Sequence, residues 1–171
     1  MPIIDFGNVG YTEVGTWGSY SLGGSSGQFG SNYRYSASGT GADEATWTFT
    51  GLSAGTYDVS ASWAVNGAHA TAALYRIYVN GVLVDQKYIS QTFGAVADYT
   101  VGSVPFEKIN QSGAVSISAG DTLSVKLDDS SSGTTVADAI SVDSVTVTPP
   151  PVSGATIHPL NGGAPFHPLG N

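Results

Sequence analysis

The feature that most constrains this chain is a strict alternation of apolar and polar residues in short runs bounded by glycine. In "EATWTFTGLSAGTYDVSASWA" the apolar residues occupy odd positions over 45–49 and again over 57–63. Successive side chains of a strand point to opposite faces, so each run predicts a strand with one buried face. The "GLSAG" segment between the runs predicts that the two strands pair as a hairpin.

A second hairpin is predicted at "ALYRIYVNGVLVDQKYIS", where Asn80 and Gly81 separate two alternating runs. About ten short runs of this kind fill the first 148 residues, and none shows helical periodicity. The 23 glycines supply the turns between them. Strands of this length and number predict an all-β fold, a two-sheet antiparallel sandwich of the jelly-roll type.

Charge and composition exclude several classes of protein. Thirteen acidic residues against five basic ones give a formal net charge of -8, which repels the phosphates of nucleic acids and anionic lipids. The sequence has no cysteine, so disulfides and thiolate chemistry are excluded. No apolar run reaches the length of a membrane span, and the opening "PIIDFGNVGY" does not resemble a signal peptide. We therefore expect a module of a larger chain, without membrane insertion.

The composition changes after Thr148. The segment "PPPVSGATIHPLNGGAPFHPLGN" (149–171) holds six of the eight prolines and no charged residue. Proline cannot donate to a strand ladder, so this segment predicts an irregular linker or extended arm behind a sandwich of residues 1–148. An alternative is that its apolar residues dock on a neighbouring surface: Ile157, Leu160, Phe166 and Leu169.

Three segments of the sequence resemble the golvesin-type, xanthan-lyase-C-terminal-like domain. They are "IIDFGNVGYTEVGTW", "GSNYRYSASGTGADEATWTFTGLSAGTYDVSASWA" and "TTVADAISVDSVTV", and the resemblance covers roughly residues 3–148. It implies a galactose-binding-like sandwich that serves as an accessory domain in exported bacterial proteins. An extracellular or cell-surface location and carbohydrate binding follow as expectations from the same resemblance.

Catalytic signals are weak. The carboxylate pairs Asp43–Glu44 and Asp128–Asp129 are adjacent residues of the kind found in turns, rather than carboxylates facing each other across a cleft. His69 is the only histidine before the proline-rich segment, and no nucleophile motif accompanies it. The sequence predicts that the domain is not an enzyme.

Aromatic side chains point to glycan binding, because sugar rings pack their apolar faces on aromatic rings. Trp47 and Trp63 lie in phase with aliphatic neighbours and are predicted to be structural core residues. Two tyrosine and arginine groups are better candidates for an exposed ligand site: Tyr33, Arg34 and Tyr35, and Tyr75, Arg76 and Tyr78. The competing interpretation is a structural spacer or adhesion domain of a surface protein, with no small ligand of its own.

Two carboxylates interrupt the last strand, "VADAISVDSVTV". Val136, Ile140 and Val142 have even positions and Val145 an odd one, which predicts a β-bulge near Asp143. Asp138 then points inward, where it needs backbone donors, an arginine or a cation.

The resemblance to galactose-binding-like folds implies that Asp5 runs beside this last strand. Asp5 and Asp143 would then offer oxygen ligands to a structural Ca²⁺, although no cofactor is required. The alternative for each carboxylate of the last strand is a hydrogen-bonded structural role.

Overall fold

The computed structural model of this protein describes residues 1–21 and 27–145. In these residues the chain forms fourteen strands and no helix, so no described helix is a candidate to span a membrane. The described residues are thus all-β, as predicted, and every pair of named strands is antiparallel. The strands are β1 (Ile3–Ile4), β2 (Tyr11–Val14), β3 (Gly18–Ser21), β4 (Asn32–Ser36), β5 (Glu44–Phe49), β6 (Gly55–Ala61), β7 (Ala73–Val79), β8 (Val82–Ile89), β9 (Tyr99–Val101), β10 (Val104–Lys108), β11 (Val115–Ile117), β12 (Leu123–Asp128), β13 (Thr135–Ala137) and β14 (Ile140–Ser144).

The described strands form two large sheets and one small one. The first large sheet has the order β1-β14-β6-β10-β9, with β11 also paired to β6. The second has the order β2-β5-β12-β7-β8, and the small sheet has the order β13-β4-β3. The inner faces of the large sheets share one apolar core, in which Trp47, Val59 and Val125 are fully buried.

The predicted hairpin between β5 and β6 is wrong, although both strands exist. β5 pairs with β2 and β12 in the second sheet, whereas β6 pairs with β14, β10 and β11 in the first. Their connection, which turns at Gly51 with φ 71°, therefore crosses from one sheet to the other. Alternation identifies a buried face but not the strand beside it, and the apolar faces of β5 and β6 meet across the core.

The second predicted hairpin is confirmed. β7 and β8 pair from Ala73 with Ile89 to Val79 with Val82. Asn80 and Gly81 have φ values of 50° and 79°, the positive values that a tight type I′ turn requires.

The predicted bulge near Asp143 is wrong. β14 pairs residue by residue with β6 over the whole of Ile140–Ser144. The irregularity lies four to five residues before Asp143, at 138–139, where the chain leaves β13 in the small sheet and enters β14 in the first large sheet. Val145 is 37% exposed, so its odd position needs no change of register. The expected linker at 149–171 lies outside the described residues.

Candidate functional site: a tyrosine-lined pocket

A pocket of about 380 Å³ opens beside the small sheet. Its aromatic side is built by β3 and β4, and its other side by the loop at 64–69 that follows β6. We call it the tyrosine pocket, and its principal lining residues are Tyr20, Tyr33, Tyr35, Asn66, His69 and Thr134.

Strand geometry explains why three tyrosines meet here. Tyr33 and Tyr35 are two positions apart in β4 and so share a face, and Tyr20 is the cross-strand partner of Tyr33. The Tyr20 and Tyr33 ring centroids are 5.5 Å apart. Gly18 is the cross-strand partner of Tyr35, and a Cβ there would lie 2.4 Å from the ring Cζ. The Tyr35 ring therefore occupies the space that a side chain at position 18 would fill.

The three rings differ in exposure. Tyr20 is 43% and Tyr35 37% exposed, whereas Tyr33 is only 7% exposed. The expectation that Tyr33 presents an exposed ring is wrong, because this ring packs edge-on against His69 with centroids 6.0 Å apart. Burial raises the pKa of Tyr33. Tyr33 thus forms the floor of the pocket, and Tyr20 and Tyr35 form its rim.

His69 is held in a fixed, uncharged form. Its Nδ1 lies 2.9 Å from the carbonyl oxygen of Ala64, which can only accept a hydrogen bond, so Nδ1 carries the proton. Burial lowers the pKa of His69. The Nε2 atom of the neutral ring is therefore an acceptor. The His69 backbone N–H donates to Asn66 O at 2.9 Å, which fixes the backbone of the loop at 64–69.

Arg34 lies outside the pocket. As the residue between the two tyrosines of β4, it points to the opposite face of the strand. There its guanidinium donates to both carboxylate oxygens of Glu13, at 2.6 and 2.7 Å, and to Trp17 O at 2.9 Å. The structure therefore keeps Tyr33 and Tyr35 together and separates Arg34 from them.

The second predicted group does not form one surface. Tyr75 is 1% exposed, and its hydroxyl accepts a hydrogen bond from Gln91 in the core, so the expectation of an exposed ring is wrong. Tyr78 is half-buried, and the Lys126 ammonium lies 5.7 Å from its ring centroid. Arg76 forms an ion pair with Asp128. Tyr75 and Tyr78 are three positions apart in a strand, which directs them to different faces.

Asp138 is a buried carboxyl group behind the tyrosine pocket. Continuing the β4–β13 register places position 138 opposite Tyr33. Its Oδ2 accepts from Phe29 N at 2.8 Å and from Ser62 Oγ at 2.7 Å, whereas Oδ1 has no hydrogen-bond partner among residues 1–21 and 27–145. Burial raises the pKa of Asp138 to about 8. The expected backbone donor is thus present, as Phe29 N.

The two carboxylates proposed for calcium are not brought together. β1 pairs with β14 so that Ile3 faces Ser141, which puts Asp5 level with position 139, four residues from Asp143. Four strand residues span about 13 Å, too far for one ion to bind both side chains. Asp143 is exposed, whereas burial raises the pKa of Asp5 to about 6. The described residues contain no cluster of three His, Asp or Glu side chains placed to hold a metal, and the predicted calcium pair is wrong.

The expected burial of the two tryptophans is confirmed. Trp47 is 0% and Trp63 1% exposed. Their indole N–H groups donate to Asp138 O at 3.1 Å and to Phe93 O at 2.8 Å, so both rings have satisfied partners inside the fold.

Tyr35 also lines a second pocket of about 440 Å³, which does not include His69 among its lining residues. We call it the acidic pocket, because Asp43 and Asp129 line it together with Trp17. Asp43 Oδ2 accepts from Ser36 Oγ at 2.8 Å, and Asp129 Oδ1 accepts from Gly41 N at 2.6 Å. Both carboxylates are therefore held by hydrogen bonds, Asp43 from the end of β4 and Asp129 from the loop that follows β4.

Four lining residues of the tyrosine pocket were not predicted as ligand-binding: Tyr20, Asn66, His69 and Thr134. Tyr20 lies in "GSYS", a run too short and polar to stand out as a strand. The other three, Asn66, His69 and Thr134, lie in loops. These loops are distant from β4 in sequence, and only the tertiary fold brings them beside it. Chemically, the pocket combines aromatic faces with uncharged donors and acceptors.

Comparisons with known proteins agree with this architecture. The profile of the Golvesin C-terminal domain family matches residues 3–144. No curated protein matches the chain. Among solved structures, a xanthan lyase from Paenibacillus is similar at 27% identity and a TM-score of 0.67, over 84% of this chain but only 13% of the lyase chain.

Two carbohydrate-binding modules share the fold. A family 35 module from an environmental isolate is 19% identical with a TM-score of 0.54, over 83% of this chain and 92% of its own. A family 35 module from Paenibacillus barcinonensis is 18% identical with a TM-score of 0.53, over 85% of this chain and all of its own, 100%. The predicted sandwich fold is thereby confirmed. The family match covers most of the chain, and this chain belongs to the Golvesin C-terminal domain family.

Proposed function

We propose that this domain is a non-catalytic accessory module that binds carbohydrate in the tyrosine pocket. The observation that carries the proposal is the meeting of three tyrosine rings with the neutral His69 ring in one open pocket. The similarity in fold to family 35 carbohydrate-binding modules supports it.

The contacts available in the pocket suit a sugar ring. The exposed rims of Tyr20 and Tyr35 offer apolar faces on which a pyranose packs. Asn66 and Thr134 offer uncharged polar groups, and His69 Nε2 offers an acceptor at the base. A few fixed polar groups among aromatic surfaces are typical of small-ligand sites.

The proposal also concerns the larger protein that contains this domain and the location of that protein. The segment of xanthan lyase that this chain resembles is 13% of a longer protein, which supports an accessory role within a larger exported chain. Neighbouring domains of that chain are then its partners, and its location is extracellular or at the cell surface. Sugar binding in the tyrosine pocket requires no cofactor, so EDTA leaves the affinity unchanged.

Affinity electrophoresis through gels containing single polysaccharides tests the proposal. The wild-type chain is retarded by at least one polymer, and Tyr35→Ala and Tyr20→Ala each weaken that binding at least tenfold, about 1.4 kcal/mol. Tyr78→Ala, a half-buried tyrosine on the second sheet, is the control and binds as the wild type does. A chain that binds none of a broad panel would favour the structural spacer instead.

A further inference from the structure

We infer that the glycan bound by the tyrosine pocket is uncharged, and that uronic acid or otherwise anionic sugars are rejected. The inference rests on the proposed function and adds the class of ligand to it. It is carried by the positions of the positive charges, since every lysine and arginine of the chain is already paired with a carboxylate.

The five basic residues are distributed over both large sheets and the small one. Their partners lie at ion-pair distance in each case, and these residues account for all five lysines and arginines of the sequence. The pairs are Arg34–Glu13 at 2.6 Å, Arg76–Asp128, Lys87–Glu107 at 2.9 Å, Lys108–Asp58 at 2.9 Å and Lys126–Glu44 at 2.7 Å. None of the five lines the tyrosine pocket.

The nearest of these cations in sequence is Arg34, and it is the most firmly held. Three hydrogen bonds to Glu13 and Trp17 fix its guanidinium on the far face of β4. Turning it into the pocket would require breaking all three and carrying the side chain through the strand. A carboxylate ligand would therefore enter a site without a compensating charge, and a desolvated, unpaired charge is costly.

Negative charge next to the pocket strengthens the rejection. Beyond the Tyr35 ring, the acidic pocket holds Asp43 and Asp129. A glycan chain that extends over Tyr35 would place its next sugar near the Asp43 carboxylate, which repels a uronate, and the buried Asp129 adds negative charge behind it. The net charge of -8 acts in the same direction at longer range.

Matched pairs of polymers that differ only in the group at carbon 6 test this inference. β-1,4-Mannan against β-1,4-polymannuronate and β-1,4-glucan against β-1,4-polyglucuronate each compare a hydroxymethyl group with a carboxylate on the same backbone. Titration of the full chain is expected to find at least one neutral polymer bound tenfold or more tightly than its acidic counterpart, with and without millimolar calcium.

The possible outcomes separate the two proposals. Tighter binding of an acidic member, in buffer or only with calcium, would overturn the inference while leaving carbohydrate binding intact. Equal affinity for both members of a pair would also overturn it. Binding to no member of any pair, nor to any other glycan, would contradict the proposed function itself.

A charge introduced at the rim gives a second test. Thr134→Lys is expected to narrow the preference for the neutral polymer at least fivefold, because it supplies the missing cation. Thr100→Lys, at an exposed position of β9, adds the same charge elsewhere and should leave the preference unchanged. If Thr134→Lys does not fold, Asn66→Lys at the exposed loop replaces it. An unchanged preference in a folded rim variant would contradict the inference.

Discussion

Two segments of similar sequence, "YRY" at 33–35 and "YRIY" at 75–78, end in opposite structural roles. In β4 the tyrosines are two residues apart and both line the tyrosine pocket, with Arg34 turned away. In β7 they are three residues apart, so Tyr75 enters the core and Tyr78 lies beside Lys126. One added residue sends the second tyrosine pair to different faces, because successive side chains of a strand point to opposite faces.

The first prediction compares the stability of variants in these two segments, and we expect the largest loss of stability on truncation of Tyr75. Tyr75→Ala should lower the free energy of unfolding by about 3–5 kcal/mol, as other buried aromatic truncations do. Tyr35→Ala should change it by less than about 1 kcal/mol, because that ring is 37% exposed. Urea unfolding of the two variants measures both. The comparison fails if Tyr35→Ala is the more destabilising change.

The second prediction concerns Asp138, the buried carboxyl group opposite Tyr33. The folded chain keeps the Asp138 proton up to about pH 8, whereas the unfolded chain releases it near pH 4. The folded state thus binds more protons in this window, and stability falls as pH rises, by roughly 1 kcal/mol per pH unit.

Asp138→Asn is expected to remove this contribution, because the amide oxygen can still accept from Phe29 N and Ser62 Oγ. Melting temperatures from pH 4 to 8 should therefore fall less steeply in the variant than in the wild type. Below pH 4 the two dependences should run parallel. Equal slopes across the whole window would show that Asp138 is ionised in the folded protein.

The third prediction uses the glycine beneath Tyr35. Gly18→Ala places a Cβ 2.4 Å from the ring Cζ, so the ring must move away from the pocket rim. We expect sugar affinity to fall about fivefold to tenfold, about 1 kcal/mol, while the melting temperature changes little. Gly55→Ala is the matched strand control, since its Cβ meets only an ordinary contact at 3.7 Å. Unchanged affinity in Gly18→Ala would mean that the position of Tyr35 does not matter for binding.

The smallest effect is expected from the end of the chain. Truncation after Thr148 removes six prolines and none of the described strands. We expect the melting temperature to change by less than a few degrees and the sugar affinity not at all. A larger fall would mean that residues 149–171 pack on the sandwich and that the predicted domain boundary is misplaced.

Sequence reasoning was most successful where it depended on local geometry. The alternation in β5 and β6 predicted which of their residues are buried, and Asn80-Gly81 predicted the tight turn between β7 and β8. It failed at pairing, because the partners of β5 and β6 are chosen by the core rather than by the turn between them. The break at 138–139 was misread as a bulge for the same reason, since a change of sheet leaves no local mark.

The candidate site was only half predictable. Tyr33 and Tyr35 were selected as tyrosines that flank an arginine, and strand parity makes them neighbours in space as well as in sequence. Tyr20 required the pairing of β3 with β4, and His69 required a loop 36 residues further along the chain to close over Tyr33. The same parity rule, applied to Tyr75 and Tyr78, would have excluded them.

Fluorine NMR of the chain labelled with 3-fluorotyrosine tests the central claim most directly, because each of the nine tyrosines reports on its own surroundings. Resonances are assigned with single Tyr→Phe variants, and the sample is titrated with the neutral oligosaccharide that binds most tightly. The account predicts saturable shifts at Tyr20, Tyr33 and Tyr35, with Tyr78 unmoved. Shifts at Tyr78 with the pocket tyrosines unmoved would contradict it.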